Sequence, residues 1–150
     1  MNLTFEHFVE STGRRLRAGL VAAYGPEVGA DASAEALAYG WEHWDRLSKM
    51  ENPAGYLYRV GQTAARRWRR PQGYLPDTGA AEFPDVEPGL TPALERLTEA
   101  QRTTVLMVHA FGWSQTETAE LLSVSLSTVR THLRRGLAKL REELEVETRV

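Results

Sequence analysis

Cysteine is absent from this chain. That excludes a disulfide framework, a zinc site built on thiolates and a thiol nucleophile. An excess of either charge is missing too: 18 Lys and Arg stand against 20 Asp and Glu, a formal net charge of -2. A polycation that grips nucleic acid by bulk charge is thereby excluded. Lysine is nearly absent, occurring only as Lys49 and Lys139. The basic side chains are therefore almost all arginine, the better bidentate partner for phosphate and guanine. No apolar run approaches the length of a membrane span, and Glu6, His7 and Glu10 interrupt the N-terminal stretch before a signal-peptide core can form. An intracellular, cytoplasmic protein is expected.

Catalytic constellations are also lacking. There is no GxSxG, no Gly-rich phosphate loop and no glycine fingerprint after a strand. His7, His43, His109 and His132 are scattered without metal-ligand spacing, and His109 is expected to be a partly buried helix residue. The expectation is a protein that is not an enzyme, with no cofactor, no metal and no small-molecule substrate.

What is present is an ordinary folded composition, 42% hydrophobic and 25% charged over 150 residues, enough for one average domain or two small ones. Pro71, Pro76, Pro84 and Pro88 crowd one interval with Gly73, Gly79 and Gly89, alongside Asp77, Glu82, Asp85 and Glu87 and no basic residue. This reads as an acidic, extended linker over 71–91. It divides an N-terminal helical module, 1–70, from a C-terminal module, 92–150.

Periodicity predicts an all-α chain. The first helix spans about Thr4–Tyr24 and stops at Gly25-Pro26. The second starts after Asp31 as N-cap and runs to about Leu47, with Leu37, Trp41 and Trp44 as its apolar stripe. Asn52-Pro53 opens the third, which carries Leu57, Val60, Ala64 and Trp68 inward and ends at Pro71. In the second module Thr91-Pro92 opens a short helix. Thr98-x-x-Gln101 and Ser114-x-x-Glu117 are capping boxes, and Gly112 closes the helix between them. Ser125 caps a long last helix with Val129, Leu133, Leu137, Leu140 and Leu144 on one side.

Gln115–Leu137 has the makings of a helix-turn-helix. Ala119 is small where the helices cross, Ser123 stands in the turn between Leu122 and Val124, and Val129 faces inward. The outer face of the second helix then carries Ser127, Thr128, Arg130, Thr131, Arg134 and Arg135, with Lys139 a turn further on. No acidic residue lies between Ser123 and Lys139. Such a face suits a major groove: hydroxyls and arginines for phosphates, arginines for guanine edges. A second basic run holds Arg59, Arg66, Arg67, Arg69 and Arg70, interleaved with Tyr56, Tyr58 and Trp68. Arginines beside aromatic rings suit a phosphate backbone with unstacked bases.

The stretch LTEAQRTTVLMVHAFGWSQTETAELLSVSLSTVRTHLRRGLAKLREEL resembles region four of bacterial RNA polymerase sigma factors. It also resembles the LuxR-type DNA-binding domain, toward which His132 in STVRTHL leans. NPAGYLYRVGQTAARRWRR and FEHFVESTGRRLRAGLVAAYG resemble the last and first helices of region two in extracytoplasmic function (ECF) sigma factors. Region two, a linker and region four without region three is the ECF order, and the resemblance covers essentially the whole chain.

The resemblance implies promoter DNA and core RNA polymerase as partners. It places the C-terminal helix-turn-helix on the upstream, minus-35 element and the N-terminal basic run on the downstream, minus-10 element. It assigns polymerase binding to the second helix, where Glu35, Leu37 and Trp41 keep part of the family's acidic-Leu-Val-Gln patch without its glutamine. An anti-sigma factor is the further partner it allows. A LuxR-like or sigma-like helix-turn-helix regulator without promoter melting is the alternative.

Overall fold

The computed structural model describes residues 4–67 and 89–148. Among them every regular element is a helix. The chain begins with α1 (Phe5–Phe8), capped by Thr4, whose hydroxyl accepts from the His7 backbone N–H. A π-helical turn at Val9–Gly13 leads without a break into α2 (Arg14–Tyr24). Gly25 then turns the chain at φ 91°, and α3 (Pro26–Glu42) starts with proline in its first turn. The expected start after Asp31 is therefore too late. Gly25 supplies the backbone conformation and Pro26 the preset φ, which leaves Asp31 on the exposed surface of an established helix.

After a break at His43 come α4 (Trp44–Leu47) and α5 (Pro53–Arg67). Asn52 caps α5 as expected, its Oδ1 accepting from the Gly55 N–H at 3.0 Å. The apolar stripe expected of a second helix running to Leu47, now divided between α3 and α4, differs from expectation. Trp41 is 63% exposed and Leu37 and Trp44 are only half-buried, whereas Ala32, Ala36 and Gly40 are buried. A Cβ on Gly40 would meet Leu57 Cδ1 of α5 at 2.9 Å. The helices approach so closely that only small residues fit between them, and the indoles are displaced outward. Leu57 and Ala64 of α5 are buried as expected. Trp68, the helix end at Pro71 and most of the 71–91 interval lie outside the described residues.

The C-terminal half comprises α6 (Leu90–Glu95), α7 (Glu99–Val105) with a π-helical turn at Leu106–Ala110, α8 (Gln115–Leu122) and α9 (Leu126–Thr148). Both capping boxes form, at Thr98 with Gln101 and at Ser114 with Glu117. Gly112 adopts φ 74° between them. On α9, Val129, Leu133 and Leu140 are buried, but Leu137 is 36% exposed. Buried Gly136 takes its place on the inner face, since a Cβ there would lie 2.8 Å from Val105 Cγ2 of α7. His109 is exposed rather than partly buried.

The two halves are packed on one another. Met107 and Leu121 from the C-terminal half join the core of Leu16, Leu20, Leu57 and Tyr58. Ala22 of α2 joins the core of Val105, Leu106, Val129 and Leu133. A Cβ on Gly19 would meet Leu121 at 2.8 Å and Tyr58 at 2.9 Å.

Candidate nucleic-acid interface

The geometry of α8 and α9 follows from short-range chemistry. The Ser114 hydroxyl accepts from the Glu117 N–H at 3.0 Å, and the Glu117 carboxylate accepts from the Ser114 N–H at 3.2 Å. At the other end Ser123 adopts φ 56°, ψ 44°, and the Ser123 and Val124 N–H groups donate back to the Glu120 and Ala119 carbonyls. This left-handed residue reverses the chain, the role expected of the turn position. Ala119 and Val129, both buried, fix the crossing. Ser125 caps α9, accepting from the Thr128 N–H at 3.1 Å, while its Oγ lies 2.8 Å from the Thr128 hydroxyl.

On α9 the spacing of 127, 130, 131 and 134, with 128 and 135 alongside, sets one polar face opposite the buried one. Ser127, Arg130, Arg134 and Arg135 are exposed, and Thr128 and Thr131 half-buried. The Thr131 hydroxyl donates to the Ser127 carbonyl at 3.0 Å. Lys139 pairs with Glu143 at 3.3 Å, and Arg96 joins the same carboxylate. The structure thus brings the expected C-terminal set together on one helix.

Glu117 is held below the usual carboxylate range, first by the Ser114 N–H, then by the Ser114 hydroxyl, with Arg15 adding its charge. A carboxyl depressed by folding stabilises above its ordinary value near 4.5 and loses that contribution as pH falls through the folded value. Glu117→Gln keeps an acceptor for the cap but removes the charge. Urea midpoints of this variant are expected to fall less steeply between about pH 5 and 3 than those of the parent. Parallel profiles would remove the charge from the account.

In the N-terminal half, Tyr56, Arg59, Thr63 and Arg66 recur at three- and four-residue spacing along α5. Arg59, Thr63 and Arg66 are exposed. Arg67 forms an ion pair with Glu35, so a residue expected at DNA and one expected at polymerase meet each other. Arg69 and Arg70 lie outside the described residues. Tyr58 does not belong to a stacking surface: it is 2% exposed, and its hydroxyl donates to the Gly19 carbonyl at 3.4 Å. Tyr56 is half-buried among Tyr39 and Arg46. The Arg46 guanidinium donates to the Tyr39 hydroxyl at 2.7 Å and lies 5.7 Å from the centre of the Tyr56 ring. The hydrogen bond with Tyr39, followed by Arg46, draws the Tyr56 phenol below its ordinary pKa.

Sequence reasoning missed the side chains between the halves. Arg102 is 4% exposed, and its guanidinium donates to the carbonyls of Ala22, Ala23 and Leu97. The Tyr24 hydroxyl donates to Glu99 at 2.7 Å. Burial and then Glu99 push that phenol up, against a smaller opposing effect of Arg66. Arg15 pairs with Glu117 and lies 4.9 Å from the centre of the Trp113 ring. Asn52 Nδ2 donates to the Glu120 carbonyl at 2.6 Å. One signal was available: Arg102 stands three and four residues before Val105 and Leu106, in phase with the core face of α7.

Known proteins resemble this chain in sequence and in fold. Residues 90–140 match the family described as Sigma-70, region 4. An RNA polymerase sigma-E factor from Streptomyces antibioticus is 32% identical over 120 residues, spanning 73% of this chain and 67% of that protein. One from Streptomyces coelicolor is 33% identical over 119 residues, with the same 73% and 67% coverage. Among solved structures, the fold is similar to that of the sigma factor RpoE in complex with the anti-sigma factor NepR from Bartonella quintana. The TM-score is 0.61 at 17% identity, over 95% of this chain and 97% of that one. It is likewise similar to CnrH in complex with the cytosolic domain of CnrY, with TM-score 0.61 and 23% identity, over 95% and 88% of the two chains.

Proposed function

Because this chain belongs to the extracytoplasmic function family of RNA polymerase sigma factors, we propose how its surfaces divide the work of promoter recognition. The chain binds core RNA polymerase and directs it to promoters. We assign the minus-35 element to α9, with Ser127, Thr128, Arg130, Thr131, Arg134, Arg135 and Lys139 as its contacts. The observation that carries this is the single hydroxyl-and-arginine face that the Ser123 turn presents. The minus-10 element is assigned to Arg59, Arg66 and Arg67 of α5, and to Arg69 and Arg70, which follow in sequence. Core polymerase is assigned to Glu35, Leu37 and Trp41 of α3. The exposed Trp41 ring, packed edge-on against Phe5, supports that choice.

In this reading residues 1–70 and 92–150 act as two grips joined by 71–91. An anti-sigma factor is a further partner, supported by the folds captured with NepR and CnrY. The chain works in the cytoplasm and performs no catalysis of its own. Among the described residues no helix is long and apolar enough to cross a membrane. The match to sigma-70 region 4 and the sigma-E relatives favour this reading over a LuxR-like regulator.

In vitro transcription with core polymerase and genomic promoter fragments tests the assignment. Initiation from a discrete set of promoters, with co-purification of chain and core enzyme, is the expected result. Failure of both would overturn it. Replacing Arg134 and Arg135 with Ala should weaken binding to upstream duplex DNA at least tenfold. It should also flatten the slope of log K against log salt by about 1.8, for two lost phosphate contacts. An unchanged slope would remove these two arginines from the interface.

A further inference from the structure

The hydroxyls at the start of α9 differ in what they have left to offer a partner. Each carries a single hydrogen to donate. The Thr131 hydroxyl spends its hydrogen on the Ser127 carbonyl, at 3.0 Å. Ser125 Oγ accepts from the Thr128 N–H at 3.1 Å and lies 3.0 Å from the Ser127 hydroxyl and 2.8 Å from the Thr128 hydroxyl. Ser125 has one hydrogen for these two neighbours, so at least one of them donates to it. The hydroxyl donors are thus largely spent on the helix and its own cap.

Position decides which of these residues a bound duplex meets. Ser127, Thr131, Arg134 and Ala138 follow one another at four- and three-residue steps. They run along the middle of the face opposite buried Val129, Leu133, Gly136 and Leu140. Thr131 stands in the second turn of α9, within the N-terminal part of a recognition helix that reaches base edges. For the helix itself it is a poor choice. Its β-branch lowers helix propensity, and a hydroxyl bonded to the carbonyl four residues back weakens the turn slightly. What the position gains is a methyl group. Threonine Cβ carries one hydroxyl and one methyl, and with the hydroxyl turned back to the helix the methyl is left to meet a partner. In the major groove only thymine, through its C5-methyl, offers an apolar counterpart.

We propose that Thr131 is a specificity-determining residue of the upstream grip and reads a thymine through its Cγ2 methyl, not through its hydroxyl. This rests on the assignment of α9 to the minus-35 element. The contact is apolar, so it adds sequence preference without adding to the phosphate contacts that carry the salt dependence. Arg134 and Arg135, three and four residues further on, supply the charged part of the same surface.

Removing one methyl from the DNA tests the contact. The full-length chain is assembled with core polymerase, and a promoter fragment that the complex retains is prepared with each upstream thymine replaced in turn by deoxyuridine. The replacement lacks only the C5-methyl. At one position it should weaken binding of the wild-type complex about fourfold, the worth of one buried methyl, and leave the salt slope unchanged. Thr131→Val keeps a methyl and loses the hydroxyl, and should keep the preference. Thr131→Ser keeps the hydroxyl and loses the methyl, and should bind the two fragments equally. Each preference is a ratio within one variant, so a general loss of folded complex cancels from it. A preference kept by Thr131→Ser, one lost in Thr131→Val, or no sensitive thymine at all overturns the proposal while the minus-35 assignment stands. Retention of no fragment in preference to random duplex overturns that assignment, and the thymine contact with it.

Discussion

A Gly29→Ala chain is expected to lose about 3 kcal/mol of stability or more, at the upper end of overpacking costs. The added Cβ would lie 2.4 Å from Val21 Cα, 2.5 Å from Val21 N and 2.6 Å from the Leu20 carbonyl oxygen. All three are backbone atoms of α2. Gly61 makes a useful contrast, because its Cβ would meet only the Leu20 side chain, at 2.5 Å from Cδ1, and a leucine can change rotamer. No rotamer relieves Gly29. The α2–α3 corner would have to open just after Gly25, pulling Ala32 and Ala36 away from the core they share with Leu57. For a chain of this size the loss corresponds to a melting temperature lower by roughly 6–12 °C. Gly112→Ala is the control. Its Cβ meets nothing within 4 Å, and only its φ of 74° is strained, so about 1 kcal/mol is expected. Urea unfolding of the two variants should therefore separate widely. A Gly29→Ala midpoint equal to that of Gly112→Ala would disprove so close a crossing.

The same corner shows why some features were legible in the sequence and others were not. Capping boxes at Thr98 and Ser114, the Asn52 cap and the Ser123 turn depend on groups three or four residues apart, and each could be read from neighbouring letters. The candidate site on α9 was legible for that reason: one contiguous stretch carries its cap, its inner face and its arginines. Helix approach distance was not legible. On α3 the large residues were expected inside, yet Ala32, Ala36 and Gly40 are buried and Trp41 is outside. Hydrophobicity ranks indole above alanine, but α2 and α5 lie too close for an indole to fit between. Tyr58 escaped for a related reason, since its alternation with arginines suggested a surface while helical phase carried it into the core beside Leu57. Docking of the halves was least legible of all. Its contacts join residues about 70 to 100 positions apart, such as Tyr24 with Glu99 and Arg15 with Glu117, and no local pattern encodes them.

Arg102→Met is expected to cost about 3 kcal/mol, and Arg102→Lys is not expected to rescue it. The last carbonyls of a helix have no partner within it. At the end of α2, the Val21 carbonyl is taken by the Gly25 N–H at 2.8 Å. The Ala22 and Ala23 carbonyls, on fully buried residues, are taken by Arg102 Nε at 3.4 Å and Nη2 at 3.1 Å. A cation from α7 thus caps a helix some 80 residues earlier, where the negative end of the helix dipole also favours it. Its Nη1 donates to the Leu97 carbonyl at 3.3 Å, so one planar group holds three acceptors across both halves. Methionine fills much of the volume and satisfies none of them, and each buried carbonyl left unpaired costs about 1–3 kcal/mol. Lysine brings the charge but not the fork, and a single ammonium cannot match the three directions. Hydrogen exchange can locate the loss: with the cap gone, the last turn of α2 should fray and the Gly25 amide should lose protection first. A methionine variant with wild-type urea midpoint and unchanged exchange at Gly25 would show that water replaces the guanidinium without penalty. Arg102 would then be a passenger in the interface rather than the group that closes it.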